Sequence, residues 1–148
     1  MNTIKKFSIV VLIALVVCSC SSDTEEIEDA AASAEGVGVA FFDALYNQND
    51  LNKTMALCTP SFAKEINKYG TTKNAARRLF NMSFDSVRID SALGDFKVRE
   101  DFVNSGGLTF LFTGIRNGKT YKDLKSIKLI KKGNAWLVDE VLKDPMPR

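Results

Sequence analysis

Histidine is absent from this 148-residue chain. A cysteine thiol would therefore have no imidazole to activate it, so Cys–His chemistry is excluded. The commonest metal ligand is missing as well. There is no Cys-x-x-Cys pair, and the one close run of acids, Glu25 to Asp29, would hold a divalent cation only loosely. No glycine-rich loop suited to phosphate is present; Ser105-Gly106-Gly107 reads as a turn between strands. The longest apolar run, 11 residues from Phe7 to Val17, falls well short of the roughly 20 that a spanning helix needs. These absences leave metals, cofactors and phosphoryl chemistry without support.

The first 23 residues are organised differently from the rest. Lys5 and Lys6 precede an apolar run of 11 residues from Phe7 to Val17, followed by Cys18 and Cys20 among small polar residues. A basic start, a short apolar core and a small-residue site have the layout of a secretory signal. A core that ends in cysteine resembles a bacterial lipoprotein signal, whose cysteine is lipidated and becomes the new N-terminus. The resemblance implies cleavage before Cys20, since small Ser19 precedes it and bulkier Val17 precedes Cys18. Leu15, three residues before Cys18, keeps Cys18 as the alternative. It also implies an outer-membrane, lipid-anchored protein facing the periplasm or the surface.

Removing residues 1–19 alters the charge balance. The whole chain has 20 basic and 18 acidic residues; without Lys5 and Lys6 the side chains sum to zero. Six acids and no bases lie between Asp23 and Glu35, whereas 18 bases and 12 acids follow from Gly36, a charge of +6. Such an acidic, small-residue stretch buries little apolar surface and reads as a tether over residues 20–32. Cys58 becomes the one thiol left besides the lipidated one, and a buried, inert position suits it. The remaining divisions are a folded domain over 33–143 and a C-terminal tail over 144–148.

Within the domain the hydrophobic period changes once. Ser33 to Asn47 predicts a helix with Val37, Ala40, Phe41, Ala44 and Leu45 on one face and Ser33 as N-cap. Gly36 and Gly38 weaken its first turns by up to about 1 kcal/mol each. Asp50 caps a second short helix carrying Leu51, Met55 and Cys58. Thr59-Pro60 starts a third, with Phe62, Ile66 and Tyr69 as its stripe and Gly70 as its stop. Thr72 to Asn81 predicts a fourth. From Phe84 the period becomes two, with strands at 86–90, 95–99, 108–115, 121–131 and 135–142. Asn117-Gly118 and Lys132-Gly133-Asn134 supply the last two turns. Strict alternation in the last strand puts Trp136, Val138 and Glu140 on one face. Helices first and antiparallel strands after them give an α+β fold, with N-terminal helices on a curved antiparallel sheet of four to six strands.

The helix VAFFDALYNQND, the Thr-Pro-started third helix and the closing Gly133, Trp136 and Val138 together resemble the nuclear transport factor 2-like superfamily. This is a cone-shaped fold also described as cystatin-like, and the likeness is nearest to small lipoproteins of unknown function. It implies a cavity at the mouth of the cone, which makes Phe42, Tyr46, Phe80, Phe110, Phe112, Tyr121 and Trp136 candidate pocket residues. The competing reading of the aromatic set is a filled core. The resemblance implies non-catalytic binding of a small molecule or an envelope partner, with homodimers through the sheet face. The alternative is a small isomerase- or cyclase-type enzyme with an Asp/Tyr pair, for which Asp43, Tyr46 and Asp139 are candidates. No cofactor and no nucleic acid is expected. Lys119, Lys122, Lys125, Lys128, Lys131 and Lys132 alternate between faces and read as solvated, or as a patch near anionic head groups or polysaccharide.

Overall fold

A computed structural model describes residues 33–92 and 104–143. The segments expected as signal, tether and tail, Cys18, Cys20 and the strand expected at 95–99 lie outside the described residues. Helix α1 (Ala34–Asp43) continues into a wider π-helical turn, Ala44–Gln48. It is followed by α2 (Leu51–Ala56), α3 (Pro60–Asn67) and α4 (Thr72–Leu79). Strands β1 (Ser86–Ser91), β2 (Ser105–Arg116), β3 (Lys119–Lys132) and β4 (Ala135–Val141) form one antiparallel sheet in sequence order. The fold is α+β, with helices against a four-stranded antiparallel sheet. No described helix is long and apolar enough to cross a membrane.

Local chemistry sets the helix starts. The side chains of Ser33, Asp50, Thr59 and Thr71 each accept a bond from a backbone amide in the first turn that follows, satisfying donors the helix cannot. Gly70 takes a φ of 71° after α3, the left-handed stop that favours glycine. The π turn ends on Asn49 at φ 54°, where the Asp50 amide reaches back to the Ala44 carbonyl at 3.0 Å. The turn aims Asn47 at β1, where its amide donates to the Val87 carbonyl at 2.9 Å and accepts from the Val87 amide at 3.2 Å. One side chain thus supplies both bonds a neighbouring strand residue would give, and locks helix to sheet.

Three expectations need correction. Ser105-Gly106-Gly107 is not a turn but the start of β2, paired with Ile130, Leu129 and Lys128. Cys58 lies beyond α2, where the segment Leu57–Thr59 bonds both backbone groups of Val138 and so covers part of the outer edge of β4. Glu140 does not share the face of Trp136 and Val138. Leu129 pairs with Val138 but Lys128 pairs with Glu140, so Asp139 is an extra residue in a β-bulge. The bulge turns Val141 to the core side and Glu140 outward.

The core lies between the helices and one face of the sheet. Phe41, Phe42, Phe110, Phe112, Ile127, Leu129 and Val138 are fully buried in it. Phe41 and Phe42 diverge as neighbours on a helix must, yet both are sealed. Phe41 meets Phe62 and Phe80, and Phe42 meets Phe110 and Phe112 edge-on at 5.3 and 4.7 Å. Gly38 explains its own cost to the helix, since any Cβ there would collide with the Phe110 ring. The missing side chain lets α1 press against β2.

Candidate functional site

Five of the seven aromatic candidates come together. Phe42, Tyr46, Phe80, Phe110 and Phe112 are buried in one cluster, with Phe84 on Phe112 at its margin. Ring centroids stand 4.7–6.5 Å apart around Phe42 and Tyr46, the spacing of direct aromatic contact. These rings pack on one another. The other two stand apart: Tyr121 is 42 % exposed on β3, and Trp136 is half-buried at the edge of the core beneath Lys131, whose Nζ is 5.9 Å from its ring.

Strand β3 carries an unexpected buried charge. Ile127 and Leu129 point into the core, so Lys125, Asp123 and Tyr121, at two-residue steps, share that face. Lys125 is therefore not one of the solvated lysines. It is 8 % exposed, and its Nζ lies 3.1 Å from Asp123 Oδ2. Across the strand, Lys125 stands opposite Phe110 and Asp123 opposite Phe112. Asp123 Oδ1 also accepts from the Leu124 amide at 2.9 Å. The Tyr46 hydroxyl donates to the Met82 carbonyl at 3.3 Å. Burial first, and the negative charge of Asp123 second, hold the Tyr46 phenol well above its usual range and keep it a neutral donor.

The acids singled out from sequence are engaged elsewhere. Asp43 accepts from the side chains of Asn47 and Gln48 within the π turn. Asp139, at the bulge, accepts from Thr59 Oγ1 at 3.0 Å and lies 3.7 Å from Lys128 Nζ. Cys58 is buried, donates to the Thr54 carbonyl and has its thiol pushed up to about 12 by burial, which leaves it unreactive. Among the described residues no group of three or more Cys, Asp or Glu side chains could hold a metal.

The opposite face of the sheet differs from the solvated face usual for an antiparallel sheet. Leu111 stands directly opposite Leu124, and Ile130 opposite Leu137; all four are half-buried. Ile115 is 46 % exposed nearby. A hydroxyl pair, Thr109 with Ser126 at 2.8 Å, lies between the two apolar pairs. Charges of both signs share the face: Arg88 with Asp90 on β1 beside Leu111, and Lys128 with Glu140 between the two apolar pairs.

Period-two parity was the signal for the buried pair, because Asp123 and Lys125 keep step with Ile127 and Leu129. The basic series from Lys119 to Lys132 obscured it. No family model, curated protein or solved structure matches this chain.

Proposed function

We propose that this is a lipid-anchored protein of the bacterial outer membrane, held through Cys20, whose domain works by non-catalytic docking. Its docking surface is the outer sheet face, and its first occupant is a second copy of the chain. The observation that carries this reading is the pair of apolar contacts Leu111–Leu124 and Ile130–Leu137, interleaved with hydroxyls and with charges of both signs on one face. Such a mixture of apolar and polar surface is the composition of a non-obligate interface. A face bearing both signs can complement its own copy across a two-fold axis. The order of helices and strands, with Gly133, Trp136 and Val138 closing it, supports the nuclear transport factor 2-like cone as the finer fold.

Sedimentation velocity at increasing concentration tests this reading. The unmodified chain is expected to sediment as a dimer and Leu111→Arg as a folded monomer, because position 111 faces away from the core between Asp90 and Leu124. A monomeric unmodified chain across the range would overturn the proposal.

A second reading has one observation behind it. The charge of Asp123 bears on buried Tyr46, which provides the Asp/Tyr combination of an isomerase- or cyclase-type site with Asp123 in place of Asp43 or Asp139. Against it, the Tyr46 hydroxyl is bonded to Met82 and Asp123 is paired with Lys125.

A further inference from the structure

Every residue from Ile115 to Lys122 is exposed. The run is the tip of the β2–β3 hairpin, turned by Asn117 and Gly118 at φ 51° and 71°, the left-handed pair that a two-residue turn requires. A ribbon exposed on both of its faces stands clear of the domain body. It is nevertheless held at its base. The Asp85 carboxylate accepts from the Asn117 amide at 3.0 Å, and the Asp85 amide donates to the Ile115 carbonyl at 2.8 Å.

Apolar surface and positive charge meet at this tip. Ile115 and Tyr121, at 46 % and 42 %, are the exposed large hydrophobic residues among those described. The charged residues of the run are Arg116, Lys119 and Lys122, with no acid among them. Ile115 stands opposite Thr120 and Tyr121 opposite Gly114, in adjacent pairs, so the two apolar side chains leave opposite faces of the ribbon. Each has cations on its own face: Lys122 near Ile115, and Arg116 and Lys119 near Tyr121.

We propose that this hairpin tip docks in the anionic headgroup layer of the membrane that carries the lipid anchor. A flat partner covers one face of a ribbon, whereas a fluid layer surrounds both. Tyrosine favours that level of a bilayer, where its ring is sheltered and its hydroxyl stays wet. Lysine and arginine lay their methylene stems on apolar surface and reach the phosphates with their charged ends. A polysaccharide would pair with the cations and stack on Tyr121 but offers no apolar layer to Ile115. A second copy on the outer sheet face would cover Ile115 and leave Tyr121 outside. Because Asp85 fixes the turn before contact, docking costs it little further freedom.

This inference rests on anchoring through Cys20. The 13 residues from Cys20 to Ser33 span at most about 45 Å, so an anchored domain never leaves the neighbourhood of the bilayer. At the effective concentration such a link sets, a weak second contact suffices to hold the domain in one orientation.

The test places the acylated mature protein in vesicles with a fluorophore on Thr120→Cys; Cys20 is blocked by its lipid and Cys58 is buried. In vesicles containing phosphatidylglycerol, spin labels on the lipid headgroups are expected to quench the dye at 120. A dye on Asn134→Cys, exposed in the turn at the other end of β3, is expected to stay bright. Lys119→Gln with Lys122→Gln is expected to weaken docking about fivefold for each cation removed, and Tyr121→Ser to weaken it as well. Salt at 1 M is expected to reverse it through screening. No quenching at 120, equal quenching of both dyes, or equal quenching in phosphatidylcholine vesicles would overturn the proposal. So would quenching that requires added lipopolysaccharide, which would assign the tip to a polysaccharide. A mature chain recovered without acyl groups overturns the anchoring reading instead, and flotation of that chain with the same vesicles then reads the tip by itself.

Discussion

Cys20→Ser is expected to move the protein from the membrane fraction almost entirely to the soluble fraction. Each buried methylene of an acyl chain contributes about 0.8 kcal/mol, and a single chain holds a protein only marginally. Firm anchoring therefore requires the two or three chains that bacterial lipoproteins carry on one cysteine. No described helix offers a substitute. Fractionation with mass analysis of the mature chain checks the result, which for the unmodified protein is a chain beginning at lipidated Cys20. If Cys18→Ser releases the protein and Cys20→Ser does not, the cleavage point lies two residues earlier. If neither does, the lipoprotein reading is wrong.

Lys125→Met is expected to lower stability by about 3–5 kcal/mol, because it removes the ammonium that lies 3.1 Å from the Asp123 carboxylate on the buried face of the sheet. For a domain of this size that loss lowers Tm by more than about 10 °C. Removing both charges in Asp123→Leu with Lys125→Met is expected to be close to neutral, since a buried ion pair seldom outperforms apolar residues of similar volume. Thermal unfolding of the two variants and the unmodified chain checks this. A single variant as stable as the unmodified chain would mean that the Asp123 carboxylate is held without Lys125, and would overturn this account of the pair.

Signals confined to a few neighbouring residues were legible in the sequence. Ser33, Asp50 and Thr59-Pro60 cap helices as expected because capping needs only the following turn. Gly70, Asn117-Gly118 and Gly133 stop or reverse the chain through their own φ angles. What remained hidden depends on a partner distant in sequence. The double bond from Asn47 to Val87 spans 40 residues. Gly38 looks like a weakness until the Phe110 ring occupies the space above it. The bulge at Asp139 breaks a strand pattern that looks regular, and only its pairing with Lys128 and Leu129 reveals it. The fate of the aromatic set was equally undecidable from spacing, since pocket walls and filled cores use the same residues.

Native mass spectrometry of the acylated mature protein, released from its own membrane in mild detergent, tests the central claim most directly. A domain that docks on its own copy through the outer sheet face gives twice the mass of one lipidated chain, with no further increment, and Leu111→Arg halves it. A single-chain mass carrying a constant small-molecule increment would contradict the account and return the protein to the ligand-binding or enzymatic reading.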